Sequence, residues 1–125
     1  MKLKDKHITV CIWSDNYEKL AEWYEKVLGF PVRERLNFPD DTGVDFDFGT
    51  NYLYIGRHNK IKGKNKDPYR VMVGFGVKSV SKTYQELKKK KVTFIAKPFS
   101  APPGGFWCMT IADPEGNILQ FFGQK

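Results

Sequence analysis

Side chains able to do chemistry are sparse in this sequence, and their spacing limits what they could do. The chain has two histidines, His7 and His58, and two cysteines, Cys11 and Cys108. Each cysteine sits inside an apolar run, which reads as a small buried hydrophobe and not as half of a disulfide or redox pair. No closely spaced Cys/His set for zinc, no phosphate-cradling glycine loop and no nucleophile–base motif is present. Asp45 and Asp47 share one face of a short alternating segment and could hold a cation. The competing reading is two solvated carboxylates on a half-exposed strand. His7 reads as a strand-end residue and His58 as a surface residue. Aromatic side chains are what the sequence has in quantity. Trp13 shares a strand face with Thr9 and Cys11, Tyr52 with Tyr54, and Phe122 with Gln120. Phe106 and Trp107 follow the Gly104-Gly105 pair. Any one of these rings reads as core. As a set, aromatic walls with a few polar groups suit a flat, amphipathic small molecule.

The elements that must position these residues follow from periodicity. His7 to Trp13 alternates, with Ile8, Val10 and Ile12 on one face and Thr9, Cys11 and Trp13 on the other. Both faces are largely apolar, so both are expected to be covered. Ser14-Asp15-Asn16 offers helix caps, with Glu18 at capping-box distance from Asp15. Tyr17, Leu20, Ala21, Tyr24, Val27 and Leu28 then recur at helical spacing until Gly29. Strands are expected over Val32 to Phe38, Val44 to Phe48 and Tyr52 to Arg57. After an aperiodic stretch, 58–68, the order repeats. Arg70 to Val77 reads as a strand, and Ser79 or Ser81 caps a helix through Leu87. Strands follow at Val92 to Lys97, Phe106 to Ala112 and Ile118 to Phe122, with a Pro/Gly loop from Pro98 to Gly105. Asp113-Pro114-Glu115-Gly116-Asn117 is a tight turn into the last strand. Gln120 is the lone polar residue of that strand and needs a partner.

The chain has 125 residues and carries a formal charge of +7. The charge resolves into two local clusters, Arg57 to Pro68 and Lys88 to Lys91. A continuous basic face interleaved with aromatics is missing, so specific nucleic-acid binding is not expected. No apolar run is long enough to span a membrane, and Met1 to Lys6 is polar with no signal-peptide core behind it. The expectation is a soluble, cytoplasmic protein without membrane partners.

Two motifs and the repeated order carry a family resemblance. Asp113-Pro114-Glu115-Gly116-Asn117-Ile118-Leu119-Gln120 resembles the last strand of the vicinal oxygen chelate superfamily, which includes glyoxalase I, extradiol dioxygenases and bleomycin-resistance proteins. Trp23-Tyr24-Glu25-Lys26-Val27-Leu28-Gly29-Phe30 is similar to its first helix. Lys91-Val92 departs from the Gly-Val that usually follows the second helix. The resemblance implies an α+β fold of two tandem βαβββ modules forming an open curved barrel around a cleft, with helices outside. It implies one domain over 1–125, with modules 7–57 and 69–123 joined by linker 58–68. In the superfamily's metalloenzymes, inward-facing His and Glu residues hold a divalent ion. The matching positions here are Thr9, Tyr54, Met72 and Gln120, so neither a metal nor another cofactor is expected, and no catalytic residue is assigned. What the resemblance leaves is a small-molecule-binding protein comparable to the bleomycin-resistance type. Its ligand would lie against Thr9, Trp13, Tyr52, Tyr54, Met72, Trp107, Gln120 and Phe122. Alternatives are a metal-dependent glyoxalase-, dioxygenase- or thiol-transferase-like enzyme built on His7 or the Asp45/Asp47 pair, and a regulatory or structural module with a vestigial cleft. Resembling members usually pair, so a homodimer is expected.

Overall fold

The computed structural model describes residues 1–4, 6–101 and 104–125. The chain divides into two compact units, Met1–Gly63 and Lys64–Lys125. The first runs β1 (Thr9–Ser14), α1 (Tyr17–Lys26), β2 (Val32–Phe38), β3 (Asp41–Phe48) and β4 (Asn51–Arg57). The second runs β5 (Val73–Ser79), α2 (Val80–Lys88), β6 (Thr93–Ala101), β7 (Phe106–Ala112) and β8 (Ile118–Gln124). The tandem βαβββ order therefore holds. Each unit forms its own four-stranded sheet, ordered β1-β4-β3-β2 and β5-β8-β7-β6, and neither sheet closes on itself. In each, the first and last strands are parallel neighbours and the remaining pairs are antiparallel.

In the first unit α1 covers one sheet face. Leu20, Ala21 and Tyr24 are buried with Ile12, Val44, Phe46, Leu53 and Ile55. The rings of Tyr24, Phe30 and Phe46 lie 6.0 to 6.4 Å apart. Gly29, at φ 72°, ends the helix in the left-handed conformation that costs glycine nothing. The Asp15/Glu18 capping box does not form. The N-cap is Asn16, and its side chain makes no capping bond. Instead the buried Ser14 hydroxyl accepts from the Asn16 N–H at 2.9 Å.

In the second unit Val80 and Leu87 of α2 are buried with Met109, Ile111, Leu119 and Phe121. Ser79 is the N-cap of α2, accepting from the Lys82 N–H at 3.2 Å. Two boundaries differ from the periodicity. β5 begins at Val73, leaving Arg70 to Met72 outside it. β6 continues through Pro98 to Ala101, which an edge strand tolerates because proline's missing N–H faces away from the ladder. Of the expected Pro98–Gly105 loop, Pro102 and Pro103 lie outside the described residues, as does Asp5 near the N-terminus.

The Asp113–Asn117 turn is tied together by one carboxylate. Asp113 Oδ1 accepts from the Glu115 and Asn117 N–H groups at 2.9 and 3.0 Å, and Oδ2 from Asn117 Nδ2 at 2.8 Å. The aperiodic stretch ends on the same turn. The Asn65 N–H donates to the Glu115 carbonyl at 2.8 Å, and Asn65 Nδ2 to Asn117 Oδ1 at 2.9 Å.

Candidate functional site

With α1 on one side, the other face of the first sheet is free of helix. Strand register arranges it in three rows: Thr9, Tyr52 and Asp47; Cys11, Tyr54 and Asp45; Trp13, Gly56 and Gly43. The last row explains the middle one. A Cβ on Gly43 would stand 2.6 Å from the Tyr54 ring, and one on Gly56 would collide with Tyr54 and Trp13. The paired glycines are thus a bare floor on which the Tyr54 ring lies flat. Its hydroxyl donates to Asp41 Oδ1 at 2.5 Å. Trp13 packs edge-on against Tyr54 and against His58, at 5.7 and 5.4 Å between centroids. The indole remains 37% exposed, whereas Tyr54 is buried. The expectation that both faces of β1 would be covered therefore fails here, since Thr9, Cys11 and Trp13 are all exposed.

Positive charge enters this face through Arg33, which the sequence did not single out. β2 slips register between Val32 and Glu34, so Arg33 is the extra residue of a bulge. Its guanidinium lies 3.5 Å from the centroid of the Tyr52 ring and pairs with Asp45 Oδ2 at 3.2 Å. His7 is exposed ahead of β1, with its ring 5.7 Å from that of Tyr52. Beyond Tyr54, an open pocket of about 290 Å³ is lined by Asp40, Asp41, Arg57 and His58 among others.

These surroundings push the Tyr54 phenol and the Cys11 thiol upward. Burial first, then the hydrogen bond to Asp41, raises the Tyr54 phenol well above its ordinary value. Desolvation, then the charges of Asp41 and Asp45, raises the Cys11 thiol. Both groups stay protonated at neutral pH. The folded-state values exceed the unfolded ones, so the associated stability is intact below the unfolded values and declines as pH rises through them. Thermal melts should therefore show stability falling from about pH 9 upward, where free thiols and then phenols begin to ionise. Tyr54→Phe should flatten the part above about pH 10. An unchanged alkaline slope in that variant would contradict the assignment.

The second unit presents its own helix-free face. Gln120 stands between Gly74 of β5 and Thr110 of β7. Its Nε2 donates to the buried Thr110 hydroxyl at 3.5 Å, the partner that a lone polar residue in this strand needed. The Phe122 ring lies over Gly74, where a Cβ would stand 2.7 Å away. Met72 is exposed just ahead of β5. Trp107 does not join this group. It precedes Cys108, the register partner of Phe122, so strand alternation turns it to the opposite face. There its ring is 5.0 Å from Lys125 Nζ.

Two open sheets, each with a helix on one face and a parallel first–last strand pair, define the βαβββ class. The chain belongs to the Glyoxalase/Bleomycin resistance protein/Dioxygenase superfamily, whose profile matches residues 6–121. No curated protein matches it. Among solved structures, a glyoxalase family protein from Bacillus anthracis is 20% identical, with a TM-score of 0.73 over 100% of this chain and 98% of that one. A superfamily member from Sphaerobacter thermophilus is 18% identical, with a TM-score of 0.76 over 98% of both chains. Lactoylglutathione lyase from Agrobacterium tumefaciens is 16% identical, with a TM-score of 0.72 over 98% of this chain and 96% of that one. At these identities the likeness is one of fold.

The superfamily includes metalloenzymes, and the side chains at the positions that the resemblance matches to their ligands are poor donors for a divalent ion. The corresponding positions supply Thr9 and Tyr54 in the first unit, and Met72 and Gln120 in the second. A hydroxyl, a phenol, a thioether and an amide include no carboxylate and no imidazole, the donors such ions require. Among the described residues, no group of three or more His, Cys, Asp or Glu side chains is placed to hold a metal. Nor, among the described residues, is any helix long and apolar enough to cross a membrane.

Proposed function

We propose that the protein binds a small aromatic or amphipathic molecule without metal chemistry, in the manner of a sequestering, bleomycin-resistance-like protein. The observation that carries this reading is the helix-free face of the first sheet. Two adjacent glycines there bare the backbone, and Trp13, Tyr52 and Tyr54 converge above it with polar groups between them. Core packing has no use for an indole left 37% exposed on top of a glycine floor. A planar ligand stacked on Trp13 would cover it and gain aromatic contact worth about 1 kcal/mol beyond the area buried.

Titration with neutral planar aromatics, followed by tryptophan fluorescence and thermal shift, tests this reading. Trp13→Ala should weaken binding about tenfold, consistent with the loss of one stacked aromatic anchor. Elemental analysis after incubation with Zn²⁺, Ni²⁺ or Mn²⁺ and desalting should find no retained ion. A stoichiometric metal that survives desalting would favour an enzyme and overturn the binding reading.

The same proposal includes a homodimer without specific nucleic-acid partners. Ile95, Phe99 and Phe106 expose apolar surface in the second unit, and a two-fold pairing is the commonest way to cover such surface. Sedimentation at tens of micromolar should give a dimer, and a monomer would contradict it.

A further inference from the structure

The cation seated on the first unit's helix-free face is the protein's own. Arg33 reaches that position because it is the extra residue of the β2 bulge, and bulges re-aim side chains. Its guanidinium covers the Tyr52 ring at 3.5 Å, the stacking a flat cation prefers. Its hold on Asp45 is incomplete. One N–H group reaches Oδ2 at 3.2 Å, where an arginine–carboxylate pair can form two shorter parallel bonds. Asp45 Oδ1 is buried and has no hydrogen-bond partner among the described residues. A buried carboxylate oxygen without a donor is uncommon enough to call for an explanation.

Surrounding charge selects the sign of what belongs there. Asp47 lies one row away on β3, Glu34 stands opposite Asp45 on β2, and Asp41 accepts from Tyr54. His58 lies at the far end of the face, against Trp13 and beside the pocket. An anion brought to Asp45 would meet these carboxylates. A flat cation would complete the pairing that Arg33 leaves half made.

We propose that Tyr52 and Asp45 form a site for an amidinium or guanidinium group carried by a small ligand, and that Arg33 is an internal occupant which the ligand displaces. The proposal rests on the reading of this face as a ligand surface and specifies the charge and shape of what it takes. On displacement, Arg33 swings from the exposed bulge into solvent. The incoming fork donates to both Asp45 oxygens, its plane lies on Tyr52, and the apolar body extends toward Tyr54 and Trp13.

The probes are benzamidine, its neutral analogue benzamide and its anionic analogue benzoate, titrated into the ¹⁵N-labelled full chain. Wild type should bind benzamidine weakly, with shifts centred on Tyr52 and Asp45, and should prefer it to the other two. Arg33→Ala should bind it about tenfold more tightly, because the competing occupant is gone. Arg33→Lys, whose ammonium cannot stack as a plane, should fall between wild type and Arg33→Ala. Adding Asp45→Asn or Tyr52→Leu to Arg33→Ala should remove the gain while thermal melts report a folded protein. Weaker or unchanged benzamidine binding in Arg33→Ala would overturn the proposal. Benzamide binding as tightly as benzamidine would also overturn it, and would leave the face a small-molecule surface that does not read charge. Failure of all three probes and of the neutral aromatics would overturn both readings together.

Discussion

Asp113→Ala should lower stability by about 3 kcal/mol, the largest loss expected from any single change away from the helix-packed cores. The carboxylate is 5% exposed and accepts three hydrogen bonds, from two backbone N–H groups and the Asn117 amide. Its removal strands those donors inside the turn between β7 and β8. It also frees Asn117, whose carbonyl oxygen receives the Asn65 amide. Urea titration should show a lower midpoint with an unchanged slope, which separates lost stability from a changed denatured state. Asp113→Asn, which keeps one acceptor oxygen, should lose about half as much. A midpoint within error of wild type for the alanine variant would show that the turn holds without its carboxylate.

The second large effect is at Gly43, where stability and binding should fall together. A Cβ there would lie 2.6 Å from the Ile55 carbonyl oxygen and equally close to the Tyr54 ring. The carbonyl belongs to the ladder and cannot move, so the Tyr54 ring must lift. Gly43→Ala should cost about 2 kcal/mol from overpacking. It should also break the Tyr54–Asp41 hydrogen bond, disturb the Trp13 contact and weaken planar ligands about tenfold, in line with the loss of one aromatic anchor. Gly49→Ala is a control for backbone strain. Gly49, unlike Gly43, has a positive φ and no neighbour near its Cβ position, so its substitution should destabilise through the backbone without touching ligand affinity. Equal ligand affinity in Gly43→Ala and wild type would remove Tyr54 from the ligand surface.

Much of the fold was legible because its signals are local. The alternation of Val44, Phe46 and Phe48 fixes which side of β3 meets a helix, and the helical spacing of Leu20, Ala21 and Tyr24 supplies that helix. The Asp-Pro-x-Gly-Asn turn declares itself in five residues. Boundaries were less secure. Val71 and Met72 continue the alternation of β5, yet the ladder with β8 begins at Val73. Hydrogen-bond partners, and not side-chain pattern, decide where a strand starts.

The candidate site was legible only in part. Trp13, Thr9, Tyr52 and Tyr54 could be assigned to faces by counting in twos, but the neighbours that give them meaning come from cross-strand register. Gly43 and Gly56 look like ordinary turn and strand glycines until β3 and β4 are laid side by side. Arg33 was invisible for a stronger reason. Simple alternation places it without reference to a bulge, and nothing in Val32-Arg33-Glu34 announces the extra residue. Trp107 failed in the opposite way. Proximity to a glycine loop suggested a place beside the ligand, while a single step along β7 turns it to the other face.

The parallel pairing of β1 with β4, repeated between β5 and β8, also bears on how the chain reaches its structure. β2, β3 and β4 are consecutive and can zip through short hairpins, as can β6, β7 and β8. β1 can join only after the whole of its unit has been brought round, and the same holds for β5. Closing that long loop carries an entropic cost that no nearby contact offsets until the ladder forms. Each half of the molecule should therefore assemble its meander first and add its opening strand last. Because β1 carries Thr9, Cys11 and Trp13, the first unit's helix-free face, the proposed ligand surface, is completed only at that final step. Partial unfolding that released β1 would dismantle that face while most of the sheet remained.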